Sequence, residues 1–122
     1  MAKYCNPDVI DAALDVIATA TKMMACNGQP TDFSDANTRM LAETAMTAGE
    51  FTKGAGGVSG RRLTVAQVQG VAVDSPGTVN HVALVRDSDD TLLYVTTADT
   101  QEITSGSFVD FPEWSIEIED PQ

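Results

Sequence analysis

The sequence predicts an α+β domain that is mainly β: an antiparallel sheet or β-sandwich with one N-terminal amphipathic helix packed on it. Three observations predict this. Residues 79–97 form two apolar, strand-forming runs around the polar tetrad Asp87-Ser88-Asp89-Asp90, the composition of a hairpin loop built on a type I turn. Residues 114–119 alternate, with Trp114, Ile116 and Ile118 facing in and Ser115, Glu117 and Glu119 facing water. Asn6-Pro7-Asp8 opens a helix. With 122 residues the chain makes one domain, residues 1–122, long enough to bury roughly two-thirds of its unfolded surface.

At the helix start Asn6 caps through its side-chain oxygen, Pro7 fits the first turn, and Asp8 suits the positive end of the dipole. Val9, Ile10, Ala13, Leu14 and Ile17 then recur at helical spacing opposite Asp8, Asp11 and Asp15, predicting a helix over residues 7–18. Residues 20–26 fit a strand or the helix's continuation. Thr19, Thr21 and the turn pair Asn27-Gly28 favour the strand, in which Met23 and Met24 are adaptable core filling. Residues 29–39 are polar, with room for a helical turn near residues 34–37. Residues 41–46 are compatible with strand or helix, and the extended form is preferred because Gly49 and a loop follow.

Residues 54–60 contain four glycines in seven positions and read as a mobile surface loop. A phosphate-binding loop would need a following helix, and here Arg61-Arg62 and a β-like run follow. The paired arginines make this a contact loop for an acidic partner. The candidate partner-contact residues are Gly56, Gly57, Arg61 and Arg62, with Lys3 and Tyr4 of the amino-terminal arm. Downstream, Leu63, Val65 and Val68 mark further strand, Gly70 a bulge or bend, and residues 74–77 a turn. Residues 98–106 are polar with a turn at Ser105-Gly106, and residues 107–111 form a short strand closed by Pro112. Residues 61–119 thus read as an antiparallel β meander. The hairpin at residues 79–97 has no wholly polar face, so it needs cover on both sides.

Composition narrows the function classes. Eighteen acidic residues against seven basic ones give a formal charge of −11, which repels nucleic acid and anionic membranes. After Arg86, the last basic residue, ten acids follow, so a basic partner is the electrostatic complement. No apolar run approaches the ~20 residues that span a bilayer, and the amino-terminal stretch has no signal-like apolar segment, so the chain is expected in the cytoplasm or assembled there into something larger.

Chemistry-bearing residues are scarce. His81 is the single histidine; it sits among apolar strand residues and reads as a hydrogen-bonded sheet residue. Cys5 and Cys26 form no CxxC pair and read as reduced thiols. Asp87, Asp89 and Asp90 serve turn geometry and lack the ligand spacing of a calcium loop. Catalytic residues, metal ligands and cofactors are therefore expected to be none, and surface contact is the favoured role. From a different class, a small ligand-binding or enzyme domain would need a pocket between helix and sheet near His81 or Cys26.

Five stretches, MAKYCNPDVIDAALDVI, MACNGQPT, SGRRLTVAQ, HVALV with LLYVTT, and PEWSIEIEDP, cover nearly the whole chain. Their pattern resembles small virion proteins of tailed bacteriophages, above all the capsid decoration or cement proteins of marine phages. The resemblance implies a non-enzymatic, β-rich protein made in the host cytoplasm and added to the outer surface of the phage head. Its partner would be the major capsid protein, met as a homo-oligomer or in many copies on the lattice. A head-to-tail adaptor or tail-associated protein is the alternative within the same class. The resemblance supplies no site residues.

Overall fold

The computed structural model describes residues 4–120. The amino-terminal helix α1, Pro7–Ile17, starts as the sequence requires: the Asn6 side chain accepts from the N–H of Asp8 at 2.8 Å. Its apolar stripe is narrower than the spacing suggests. Ile10 and Leu14 are buried and Ile17 packs against the core, but Val9, Ala13 and Val16 face outward. At about 100° per residue, Val9 and Val16 stand roughly a third of a turn or more from the Ile10–Leu14 line.

Strand β1, Lys22–Cys26, follows, then a short helix α2, Phe33–Arg39, and strand β2, Met40–Ala45. α2 is longer than the helical turn expected at residues 34–37. Asp32 caps it by accepting from the N–H of Asp35 at 2.7 Å, and Asp35 pairs with Arg39 one turn on at 3.0 Å. A single 3-10 turn, Ala48–Glu50, leads into β3, Phe51–Ala55. The remaining strands are β4, Arg61–Val65; β5, Val68–Ala72; β6, Gly77–Arg86; β7, Thr91–Ile103; β8, Phe108–Phe111; and β9, Trp114–Ile118.

Half of the described residues lie in strands, all antiparallel in their pairing, so the mainly β reading with an amino-terminal helix holds. The meander over residues 61–119 does not. Pairing divides the strands into three sheets, β2-β1-β6-β7, β3-β4-β9 and β5-β8. Only β6 and β7 pair with a sequential neighbour within that span. Alternation reports which face of a strand is buried, not which strand lies beside it. The breaks are visible locally: the N–H of Ala66 turns away to the Glu50 carbonyl, and those of Asp74 and Ser75 both bond the Leu41 carbonyl.

The hairpin β6–β7 is central and is covered on both faces. Leu84 lies in the main core with Met23 and Ala25 of β1, Leu63, Val65 and Ile116 of the second sheet, Val71, Val109 and Phe111 of the third, and Leu14 of α1. On the opposite face Ala83 and Val85 meet Met24, Cys26 and Ala36, closed over by Phe33 of α2. β7 runs beyond the expected end at Thr97. Val79 pairs with Gln101 and His81 with Thr97, so Ala98, Asp99 and Thr100 bulge opposite Asn80 alone.

Candidate functional site

The glycine-rich stretch is less open than composition implies. Gly54 and Ala55 belong to β3, and the loop proper is closed by a bond from the Gly56 N–H to the Gly60 carbonyl at 3.0 Å. The N–H of Gly57 donates to Glu117 Oε1 at 3.0 Å, and that of Asp120 to Ser59 Oγ at 3.2 Å, tying the loop to β9 and its extension. Gly60, at φ +72, lies against the backbone of Ile118 and Glu119.

The two arginines do not act together. Neighbouring strand residues point to opposite faces. Arg61 reaches Asp11 of α1, Nε to Oδ1 at 2.8 Å, while Arg62 faces Glu117, its cross-strand partner, Nε to Oε1 at 2.8 Å. The structure therefore gathers Gly57, Arg62 and Glu117 into one cluster and places Arg61 in another. Tyr4 is 79 % exposed beside the start of α1. Lys3 lies outside the described residues.

This internal engagement extends to every described lysine and arginine. Lys22 pairs with Glu43 and Asp87, Arg39 with Asp35, Lys53 with Asp15, Arg61 with Asp11, Arg62 with Glu117, and Arg86 with Asp89. Such surface pairs add little stability individually, but they determine which charge is left over. Among the described residues the excess is wholly anionic. Aspartates at the hairpin tip are part of this internal pattern: Thr21, through its hydroxyl, and then Lys22 hold the Asp87 carboxyl below its ordinary range, and Arg86 does the same for Asp89.

Glu117 gives a pH prediction. Hydrogen bonds from Arg62 first, and then from the Gly57 N–H, lower its carboxyl pKa. A depressed folded-state value means that its contribution is complete above the ordinary glutamate range and is lost as pH falls through the lowered value. Glu117→Gln is therefore expected to cut stability near neutral pH and flatten the acid limb of a denaturation midpoint measured against pH. An unchanged acid limb would show that Glu117 carries none of it.

His81 and Cys26 do meet, although they are far apart in sequence: they are cross-strand partners between β6 and β1. No spacing signal could reveal this. Burial pushes the Cys26 thiol up to about 11, opposed in part by Arg39, which is the wrong direction for a nucleophile needing thiolate. His81 Nδ1 lies 2.7 Å from Asn80 Oδ1. Both cysteines are free thiols. Among the described residues no group of three or more His, Cys, Asp or Glu side chains is placed to hold a metal ion, and no helix is long and apolar enough to cross a membrane.

A cavity of about 440 Å³ lies elsewhere, and neither His81 nor Cys26 lines it. Its floor is Ala25, Val79, Val82 and Thr96 of the four-stranded sheet. The bulged segment of β7 forms one wall through Thr97, Ala98, Asp99 and Gln101, and the β8–β9 corner forms the other through Val109, Asp110, Phe111, Pro112, Trp114 and Ser115. Trp114 stacks on Tyr94, with ring centroids 6.0 Å apart, and its indole N–H is buried without a partner. The bulge and the corner meet only in space, which is why the sequence offered no sign of this cavity.

No family model, curated protein or solved structure matches this chain.

Proposed function

We propose that this protein is a structural virion protein, a capsid decoration or cement protein that binds the outer surface of a phage head and stabilises its lattice. The observation that carries the reading is electrostatic. With the described cations each committed to an internal carboxylate, what the surface offers a partner is uncompensated negative charge. A basic patch on the major capsid protein is its complement. Exposed apolar residues add to this: Val9 and Val16 on one side of α1, 61 % and 53 % exposed, and Tyr4 just before it. A repeating lattice multiplies modest contacts of this kind, because each copy that bridges two capsid subunits gains from effective concentration as well as area.

The test is rebinding. Purified heads stripped of the protein are mixed with the recombinant chain and sedimented over a range of salt concentrations. Saturable co-sedimentation that weakens as salt rises is expected, since screening acts on exposed charges. Failure to bind at low salt would count against the reading.

A further inference from the structure

The cavity between the β7 bulge and the β8–β9 corner is not used by the lattice contacts just described, and its chemistry is specific. Val79, Val82 and Phe111 give it apolar walls, and the two ionisable residues that line it, Asp99 and Asp110, are both acidic. Among the described residues no lysine, arginine or histidine lines it. Asp110 uses one oxygen to accept from the N–H of Gly70 at 2.8 Å, which fixes the carboxylate. At about 440 Å³ the cavity falls within the ~300–1,000 Å³ of ordinary ligand sites. Apolar walls with two exposed acidic residues beside them suit a long side chain that buries its methylenes and keeps a cation near water.

The bulge indicates how that cation arrives. Ala98, Asp99 and Thr100 stand opposite a single residue of β6, and among the described residues β7 has no strand on its other side. Backbone N–H and C=O groups at this edge are open to another main chain. We propose that this cavity is a socket for a lysine or arginine side chain presented by an extended segment of a partner polypeptide, with Asp99 and Asp110 receiving the charge. The inference deepens the basic-partner reading above by giving that partner a side chain and a seat. Its test uses the isolated chain, so its outcome is separate from whether the protein is found on particles.

Trp114 is the single tryptophan and lines the cavity, so its fluorescence reports occupancy. The probes are a capped pentapeptide of glycine and serine around a central lysine, the same peptide with norleucine or glutamate at that place, and free n-butylamine. The lysine peptide is expected to give a saturable change. Norleucine should bind about tenfold more weakly for want of the charge-assisted bonds, glutamate not at all, and butylamine more weakly than the lysine peptide. Asp99→Asn with Asp110→Asn should reduce lysine-peptide binding about tenfold and leave the norleucine peptide unaffected. Asparagine keeps an acceptor for Gly70, and Asp99→Asn alone serves if the double variant unfolds. Equal binding of lysine and norleucine peptides would overturn the charge assignment, butylamine binding as tightly as the peptide would overturn the polypeptide source, and no saturable response would overturn the site.

Discussion

Leu84→Ala is expected to remove about 2–5 kcal/mol of stability, a large share of what a domain of this size holds. Leu84 is fully buried in β6, the strand flanked by β1 and β7 in the largest sheet. It belongs to the core shared by all three sheets and α1, so truncation opens a void that several elements would have to close together. Denaturant unfolding measures this through a fall in the midpoint at constant slope. Val58→Ala is the contrast. Val58 is 93 % exposed at the tip of the β3–β4 loop, and its loss should change stability by less than about 0.5 kcal/mol.

The second large effect is at Gly60. Its φ of +72 costs an alanine about 1–2 kcal/mol, and a Cβ there would collide with the carbonyl oxygen of Ile118. Relieving the collision means moving β9, whose residues from Trp114 to Ile118 pair with β4 along its length. Gly60→Ala should therefore cost more than the backbone term alone, about 3 kcal/mol. Gly70 supplies the control, because it has nearly the same φ, +70, with open space where its Cβ would lie. Gly70→Ala should cost only the backbone term. The difference between the two unfolding free energies measures the close approach of the loop to β9, and equal losses would mean that the loop yields without strain.

What was legible in the sequence follows from what is local. Asn6, Pro7 and the Ile10–Leu14 pair define α1 within one short segment. Trp114, Ile116 and the flanking Ser115 and Glu117 alternate because β9 has one face inward and one in water. Gly70 announced its bulge through its residue type. Partner choice was hidden, because Leu63 pairs with Ile116 and Val68 with Phe111 across intervening strands, and such distant pairing leaves no mark on either strand. The extension of β7 past Thr97 was hidden too: Asp99, Thr100, Gln101 and Glu102 are all exposed, so no alternation betrays a strand. α2 is too short for periodicity to register, and its signal is the cap at Asp32 with the Asp35–Arg39 pair.

The contact candidates divide on the same principle. Arg61 and Arg62 look like a basic pair in one dimension, but once Leu63 and Val65 are assigned inward, alternation alone sends the two arginines to opposite faces of β4. That reasoning was available from the residues. The seating of Arg61 on Asp11 was not, because it depends on where α1 packs. Likewise, Cys26 and His81 become neighbours only through the pairing of β1 with β6.

Copy number in purified particles tests the central proposal most directly. Quantitative mass spectrometry of heads, scaled to the major capsid protein, is predicted to find this chain in hundreds of copies per particle, as a protein that covers a repeating lattice requires. A handful of copies, the number that a single vertex or tail can hold, would contradict decoration, and absence from the particle would contradict a virion role altogether.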